Sequence, residues 1–368
     1  MGTLSTADRT ALRDALKRLL TDKSKEADVR RVMEEARGFD PALWAALAEM
    51  GIVGLLAPEE FGGAGAGPVE IELVMEEAGA ALLCSPLLSS GVLAVSALNA
   101  SGDRAAQERL LPSLADGTKI ATLALTGSRG TWTEEGVEVS ATKSGADWAL
   151  SGVADYVTHA QSADVLLVVA KTAAGTALFE VAPSAATIGA LPTFDHTLRM
   201  AKVTFENAPA RLIGKDGEGW RIAEAALDIA RVALAGEQAG GGAKLLDITV
   251  EYAKTRIQFG RQIGSFQAIK HMASDLLLES ESSISAARAA AQALADKAND
   301  AASAISLAAF ACADAYTQIA ATSIQMHGGI AFTWDHPAHL YLRRARSDAQ
   351  LFGTPSFYRE RYIQQLGG

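Results

Sequence analysis

Apolar residues recur at three- and four-residue spacing through the first third of the chain. Leu43, Leu47 and Met50 are one instance, and the spacing predicts helices that each bury one face. Asp40 followed by Pro41 reads as a cap and first-turn pair. The run Phe61-Gly62-Gly63-Ala64-Gly65-Ala66-Gly67 interrupts the pattern, which resumes over 68–83. Those glycines read as a helix connector, because a glycine-rich loop with no strand before it is weak evidence for phosphate binding.

From about 119 to 207 the period changes. The runs 137–142, 148–152, 164–171 and 177–181 are short, β-prone and separated by Gly, Ser and Asp, which predicts an antiparallel β-domain. Residues 165–170 are apolar without alternation, so they belong inside the sheet or at an interface. After Gly214-Lys215-Asp216-Gly217-Glu218-Gly219 the chain reads as helix to its end. Phe266, Ile269, Ala273, Leu276, Leu277, Ile284, Ala287, Ala291 and Leu294 trace one long apolar face, rich in alanines that let helices approach closely. The pattern predicts an α+β chain in three parts: an N-terminal α-helical domain over 1–117, a middle antiparallel β-domain over 118–210, and a C-terminal helix bundle over 211–368 whose surface can support oligomers.

Composition narrows the function classes. With 33 Lys and Arg against 43 Asp and Glu, the net charge of −10 argues against nucleic acid or an anionic membrane as the main partner. Two cysteines, Cys84 and Cys312, build neither a disulfide framework nor a multi-cysteine metal site. The longest uncharged stretch, 78–102, is broken by Ser85, Pro86, Ser89, Ser90 and Gly91 and makes poor membrane-spanning material. The first 26 residues are charged throughout, so a cytoplasmic location is expected. Six histidines are scattered with no third ligand for the pair His336 and His339, and no metal site is expected. No Gly-x-Ser-x-Gly elbow supports a hydrolase.

Two segments carry candidate chemistry. Thr255-Arg256-Ile257-Gln258-Phe259-Gly260-Arg261-Gln262-Ile263-Gly264-Ser265-Phe266-Gln267 sets arginines and amides around a turn before the long helix. Guanidinium groups, helix N-terminal amides and close approach at glycine suit a pyrophosphate; a helix connector with exposed arginines explains the same residues equally well. Gln325-Met326-His327-Gly328-Gly329 reads first as a helix C-terminus ended by glycine.

Taken together, in this helical–β–helical order, the two segments resemble the acyl-CoA dehydrogenase family. The resemblance also includes Ala57-Pro58-Glu59-Glu60-Phe61-Gly62-Gly63, the stretch 150–158, Val203-Thr204-Phe205, Leu212-Ile213-Gly214 and Gly217-Glu218-Gly219, and so covers nearly the whole chain. It implies a C-terminal four-helix bundle, a tetramer, and FAD bound between β-domain and bundle with help from a neighbouring subunit. By the same resemblance Tyr156 and Thr158 would sit beside the isoalloxazine ring. Arg256, Phe259 and Gln267, with Gln325, Gly328 and Gly329, would reach the diphosphate and adenine side. Gly353-Thr354 is similar to the family's Gly-Thr near the flavin. The implied reaction is αβ-dehydrogenation of an acyl-CoA thioester, with electrons passing to an electron-transfer flavoprotein or another acceptor.

The sequence departs from that pattern where the base should be. The residue before Gly353-Thr354, usually glutamate, is Phe352; the alternative position before an arginine in the first bundle helix is Ala230, before Arg231. The family's Thr-Glu-Pro-type loop is replaced by Leu125-Thr126-Gly127-Ser128-Arg129-Gly130. Glu237 is the candidate base. It lies two turns beyond Ala230 on the same face, roughly 10 Å away at about 1.5 Å per residue, among Ala233, Leu234, Ala235, Gly236 and Ala239, which would keep water off a carboxylate. A buried Glu paired with an arginine is the competing reading of the same residue. The absence of both usual glutamates also motivates an alternative function: a non-catalytic subunit that completes an FAD site in a heteromer with a base-bearing paralogue.

Overall fold

The computed structural model describes residues 4–145 and 147–367. Contacts divide the chain into two compact units that do not follow chain order: Val32–Gly67 with Cys84–Ala230, and Leu4–Arg31 with Pro68–Leu83 and the chain from Arg231 onward. The architecture is mixed α and β, helical at both ends with a β region between.

The first helix wholly in the first unit is α3 (Pro41–Glu49); α1 (Thr6–Lys23) and nearly all of α2 (Glu26–Val32) precede it in the chain and belong to the second. The Asp40 carboxylate accepts from Ala42 N at 2.8 Å and Leu43 N at 3.3 Å, capping α3 as its sequence predicts. The glycine run after Phe61 is a connector. Gly62 takes φ +83°, and a Cβ on Gly63 would overlap the Ala57 carbonyl. The next helix, α4 (Pro68–Ala80), belongs to the second unit; a wholly buried π-helical turn at Leu87–Ala94 then leads into α5 (Val95–Ser101) and α6 (Arg104–Ala115).

The strands are β1 (Ala121–Ala124), β2 (Ser140–Ser144), β3 (Asp147–Thr158), β4 (Val165–Thr172), β5 (Gly175–Val181), β6 (Ala186–Ala190) and β7 (Met200–Ile213). Their order is β1-β4-β2-β3-β7-β5, with β4 also pairing β5 and β6 pairing β7. Most pairs are antiparallel, as expected, but β4 runs parallel to both β1 and β2. β4 explains the unbroken apolar run: Val165 to Ala170 are all buried because the strand is flanked by β1 and β5. The predicted run 137–142 contributes to the ladder only from Ser140; Val137 and Val139 are buried before the strand begins. β1, β6 and β7 have no predicted run of their own, their pattern being too short or too interrupted by polar residues.

The second unit is built on α7 (Gly219–Thr255) from Arg231 onward, α8 (Gln267–Ala295), α9 (Ala301–His327), α10 (Ala338–Asp348) and α11 (Pro355–Gln365), with a small hairpin, β8 (Ile257–Gln258) and β9 (Arg261–Gln262), between α7 and α8. α9 packs on α8, α10 and α11, while α4 packs on α8 and α1 on α4. α7 is buried on every side from Ala230 to Gly242, which makes it a central helix. Its glycines allow the approach of α4: a Cβ on Gly236 would sit 2.5 Å from Glu72 O, and one on Gly240 would overlap Glu76 O. The predicted face of α8 is real at Leu276, Ala287 and Ala291. Leu277 departs from it at 51% exposed, because consecutive helical residues point about 100° apart.

Candidate functional site

In the first unit, Tyr156 and Thr158 lie at the end of β3, where the pairing with β7 slips between Ala154 and Val157. The irregularity puts Tyr156 at φ +56° and turns its ring outward, 39% exposed between buried neighbours. Bulges re-aim side chains in this way. Gly130, from the divergent 125–130 loop, lies against that ring, and Asp155 N donates to Thr126 O at 2.9 Å. Thr158 is buried, and its carbonyl accepts from Thr122 Oγ1 at 2.6 Å.

In the second unit, Arg256, Phe259, Gln267, Gln325, Gly328, Gly329 and Thr354 are all exposed. The structure draws two of their segments together. Tyr252, one turn before Arg256, stacks on His327 at 4.5 Å between ring centroids and donates its hydroxyl to His327 O. Met326 points inward to Leu246, Leu276 and Ile319, which leaves Gln325 facing out. His327 donates Nδ1–H to Ser323 O at 2.7 Å, and burial holds its pKa below the usual value despite that carbonyl. α9 does end at glycine, with Gly328 at φ +68°. Phe259, at φ +55° on the hairpin tip, is 92% exposed and edge-on to Phe266. Thr354 is committed locally: its hydroxyl caps α11 by accepting from Phe357 N.

Neither customary base position carries a carboxylate. Ala230 and Phe352 are buried, Phe352 with φ +63°. Glu237 is 5% exposed, and its carboxylate forms an ion pair with Arg344 of α10, itself 4% exposed. Arg344 stands three residues after Tyr341 and four before Asp348, both buried, so it shares the inward stripe of α10. That placement was legible in the helical spacing and is the signal that sequence reading missed.

Comparison with known proteins decides the family. The family models described as acyl-CoA dehydrogenase N-terminal and C-terminal domains match residues 6–118 and 217–366. An acyl-CoA dehydrogenase of Mycobacterium tuberculosis, IpdE2, is 36% identical over 354 residues, covering 95% of this chain and 94% of that protein. The chain belongs to the acyl-CoA dehydrogenase family. Among solved structures, a Tcur3481-Tcur3483 steroid acyl-CoA dehydrogenase variant is 29% identical with TM-score 0.88, covering 98% of each chain. The ChsE4-ChsE5 complex from M. tuberculosis is 28% identical with TM-score 0.91, covering 100% and 99%.

This acyl-CoA dehydrogenase presents residues suited to FAD. A Cβ at Gly260, Gly328 or Gly329 would meet nothing within 4 Å, so a ligand can approach the backbone there closely, although the Gly328 N–H is already donated to the last carbonyls of α9. Arg256 makes no ion pair among the described residues and keeps its charge available to a diphosphate. Two sizeable clefts hold none of the residues assigned to cofactor or catalysis. One, about 980 Å³, is lined by Phe39, Trp44, Asp164 and Arg199; the other, about 630 Å³, by Lys17, Lys244, Asp247 and Tyr341.

Proposed function

We propose that this chain is the FAD-holding subunit of a two-chain acyl-CoA dehydrogenase, in which a related partner supplies the carboxylate that removes the α-proton. The observation that carries this reading is the burial of Glu237 in an ion pair with Arg344, while Ala230 and Phe352 occupy the positions where the family keeps its base. A general base must reach the proton it takes. Glu237 would first have to break its buried ion pair with Arg344.

Bound FAD supplies the acceptor for the hydride leaving the β-carbon. The chain's own residues do the holding. Arg256, Phe259 and Gln267, with Gln325 and the exposed backbone of Gly328 and Gly329, would hold the diphosphate and adenine side, and Tyr156 and Thr158 would lie beside the ring. Phe259, Phe332 and Trp334, at 92%, 77% and 51% exposure, offer apolar surface for a neighbouring subunit. Both solved relatives above are named as pairs of chains, and the first is a steroid enzyme. A steroid-derived acyl-CoA is therefore the first substrate to try, with an electron-transfer flavoprotein as acceptor.

A second reading keeps Glu237 as the base of a self-sufficient homotetramer. Its support is the dry setting of Ala233, Leu234, Ala235 and Ala239, all buried.

The test is isolation from the natural host under native conditions, followed by mass spectrometry. The proposal expects a second acyl-CoA dehydrogenase chain in equal amount, and turnover by the pair alone. Full turnover by the isolated single chain overturns it.

A further inference from the structure

The turn that follows α10 is held in an unusual way. Phe352 has φ +63° and is 1% exposed. A bulky residue in the left-handed region is strained and persists only where its surroundings impose it. Here the imposing group is Tyr358, on the first turn of α11. Its hydroxyl donates to the Phe352 carbonyl in the buried interior and accepts from Arg231 Nε at 2.8 Å.

The rest of Tyr358 reinforces this grip. A Cβ on Gly353, itself at φ +132°, would lie 2.8 Å from the tyrosine ring, and Tyr358 N donates to Thr354 O at 3.1 Å. Arg231 is buried on α7, directly after Ala230. One buried hydrogen-bond chain thus ties α7, beside the first customary base position, to the carbonyl of the second.

We propose that Tyr358, backed by Arg231, is the positioning residue of the Phe352-Gly353-Thr354 turn. A peptide plane fixed by its carbonyl presents its N–H on the opposite side, so Tyr358 sets the direction of the Gly353 amide and the placement of Thr354. This rests on the acyl-CoA dehydrogenase reading, in which that turn meets the flavin. Tyr358, buried at 3% exposure, acts through the turn.

The test is Tyr358→Phe, which keeps the ring and removes the hydroxyl, made in the FAD-loaded protein together with any chain that co-purifies. Amide exchange is followed by mass spectrometry on peptides covering 350–358, with and without FAD, alongside kcat, KM and flavin content. Arg359→Ala is the control, since it cuts the exposed link from α11 to Asp314 on α9 without touching the turn. Tyr358→Phe is expected to speed exchange at Gly353 and Thr354 about tenfold, and to lower kcat about tenfold with KM and flavin content near wild type. Arg359→Ala should leave both exchange at the turn and kcat unchanged.

Unaltered exchange in Tyr358→Phe overturns the proposal, and so does faster exchange with wild-type kcat. If Tyr358→Phe does not fold, Arg231→Lys provides the second arm: it keeps the charge, loses the Nε geometry, and should shift exchange and kcat in the same direction by a smaller factor. No shift in either sinks the idea. The exchange measurement without FAD stands even if the wild-type protein proves to have no dehydrogenase activity, so failure of the clamp and failure of the functional reading are separable.

Discussion

Replacing Glu237 by Gln separates a structural carboxylate from a catalytic one. Glu237 and Arg344 are 5% and 4% exposed and form an ion pair inside the second unit. Breaking a buried ion pair by removing one member costs about 3–5 kcal/mol. For a unit of roughly 150–250 residues, 1 kcal/mol moves Tm by about 2–4 °C, so Glu237→Gln should melt about 6–20 °C below wild type. The double replacement Glu237→Met with Arg344→Met removes both charges and should recover most of that loss, because apolar residues of similar volume often match a buried pair. Differential scanning calorimetry on the three proteins gives the energies. Single-turnover flavin reduction at about 15 °C, where the variant is still folded, gives the chemistry. Loss of a general base lowers rate by roughly 10²–10⁴-fold. A Glu237→Gln protein that melts with wild type yet fails to reduce flavin, in the presence of every partner chain, would refute the structural assignment.

Three other outcomes follow from the packing. Glu72 on α4 is 2% exposed, and burial, then the neighbouring Glu76, push its carboxyl up from 4.5 to about 8 against the opposing pull of Arg288 and Arg13. Its folded-state value lies above the unfolded one, so its contribution is fully present below about pH 4.5 and is lost as pH rises through about 8. Glu72→Gln should therefore gain on wild type as pH rises, by up to about 5 kcal/mol above pH 8; parallel urea curves from pH 6 to 9 would contradict this. Gly240→Ala drives a methyl into the Glu76 carbonyl across the α4–α7 crossing. It should destabilise by more than the roughly 1–3 kcal/mol of ordinary overpacking, and a Tm within a few degrees of wild type would show the crossing to be looser. Arg256→Ala should weaken FAD retention by roughly tenfold or more, the scale of a charge-assisted hydrogen bond, with Tm of the FAD-free protein unchanged. Equal flavin content after dialysis would remove Arg256 from the cofactor site.

Local chemistry was readable from sequence where short-range rules apply. The Asp40-Pro41 cap and the glycine end of α9 depend on neighbours within a few positions, and the buried run of β4 shows in its own unbroken apolar composition. The family was readable too, because its marks are spread along the chain in order. Long-range pairing was not. Glu237 and Arg344 are separated by 107 positions, and only the spacing of Tyr341, Arg344 and Asp348 hinted that an arginine faces inward. The partnership of residues 4–31 and 68–83 with the chain after Arg231 was equally silent. It depends on Gly236 and Gly240 admitting α4 and on ion pairs from Arg9 and Arg13 to Glu70, Glu76 and Glu77, none of which leaves a periodic signature. Tyr156 was assigned to the flavin by resemblance, while the bulge that exposes it has no mark in the sequence.

The central claim is that this chain cannot remove the α-proton unaided, and anaerobic flavin bleaching tests it most directly. The FAD-loaded single chain and the reconstituted two-chain complex are mixed with the same acyl-CoA, and absorbance near the flavin maximum is followed. Bleaching by the complex, with none by the single chain, is the predicted result. Bleaching by the single chain at the rate of the complex, abolished by Glu237→Gln, would contradict it and make Glu237 the base.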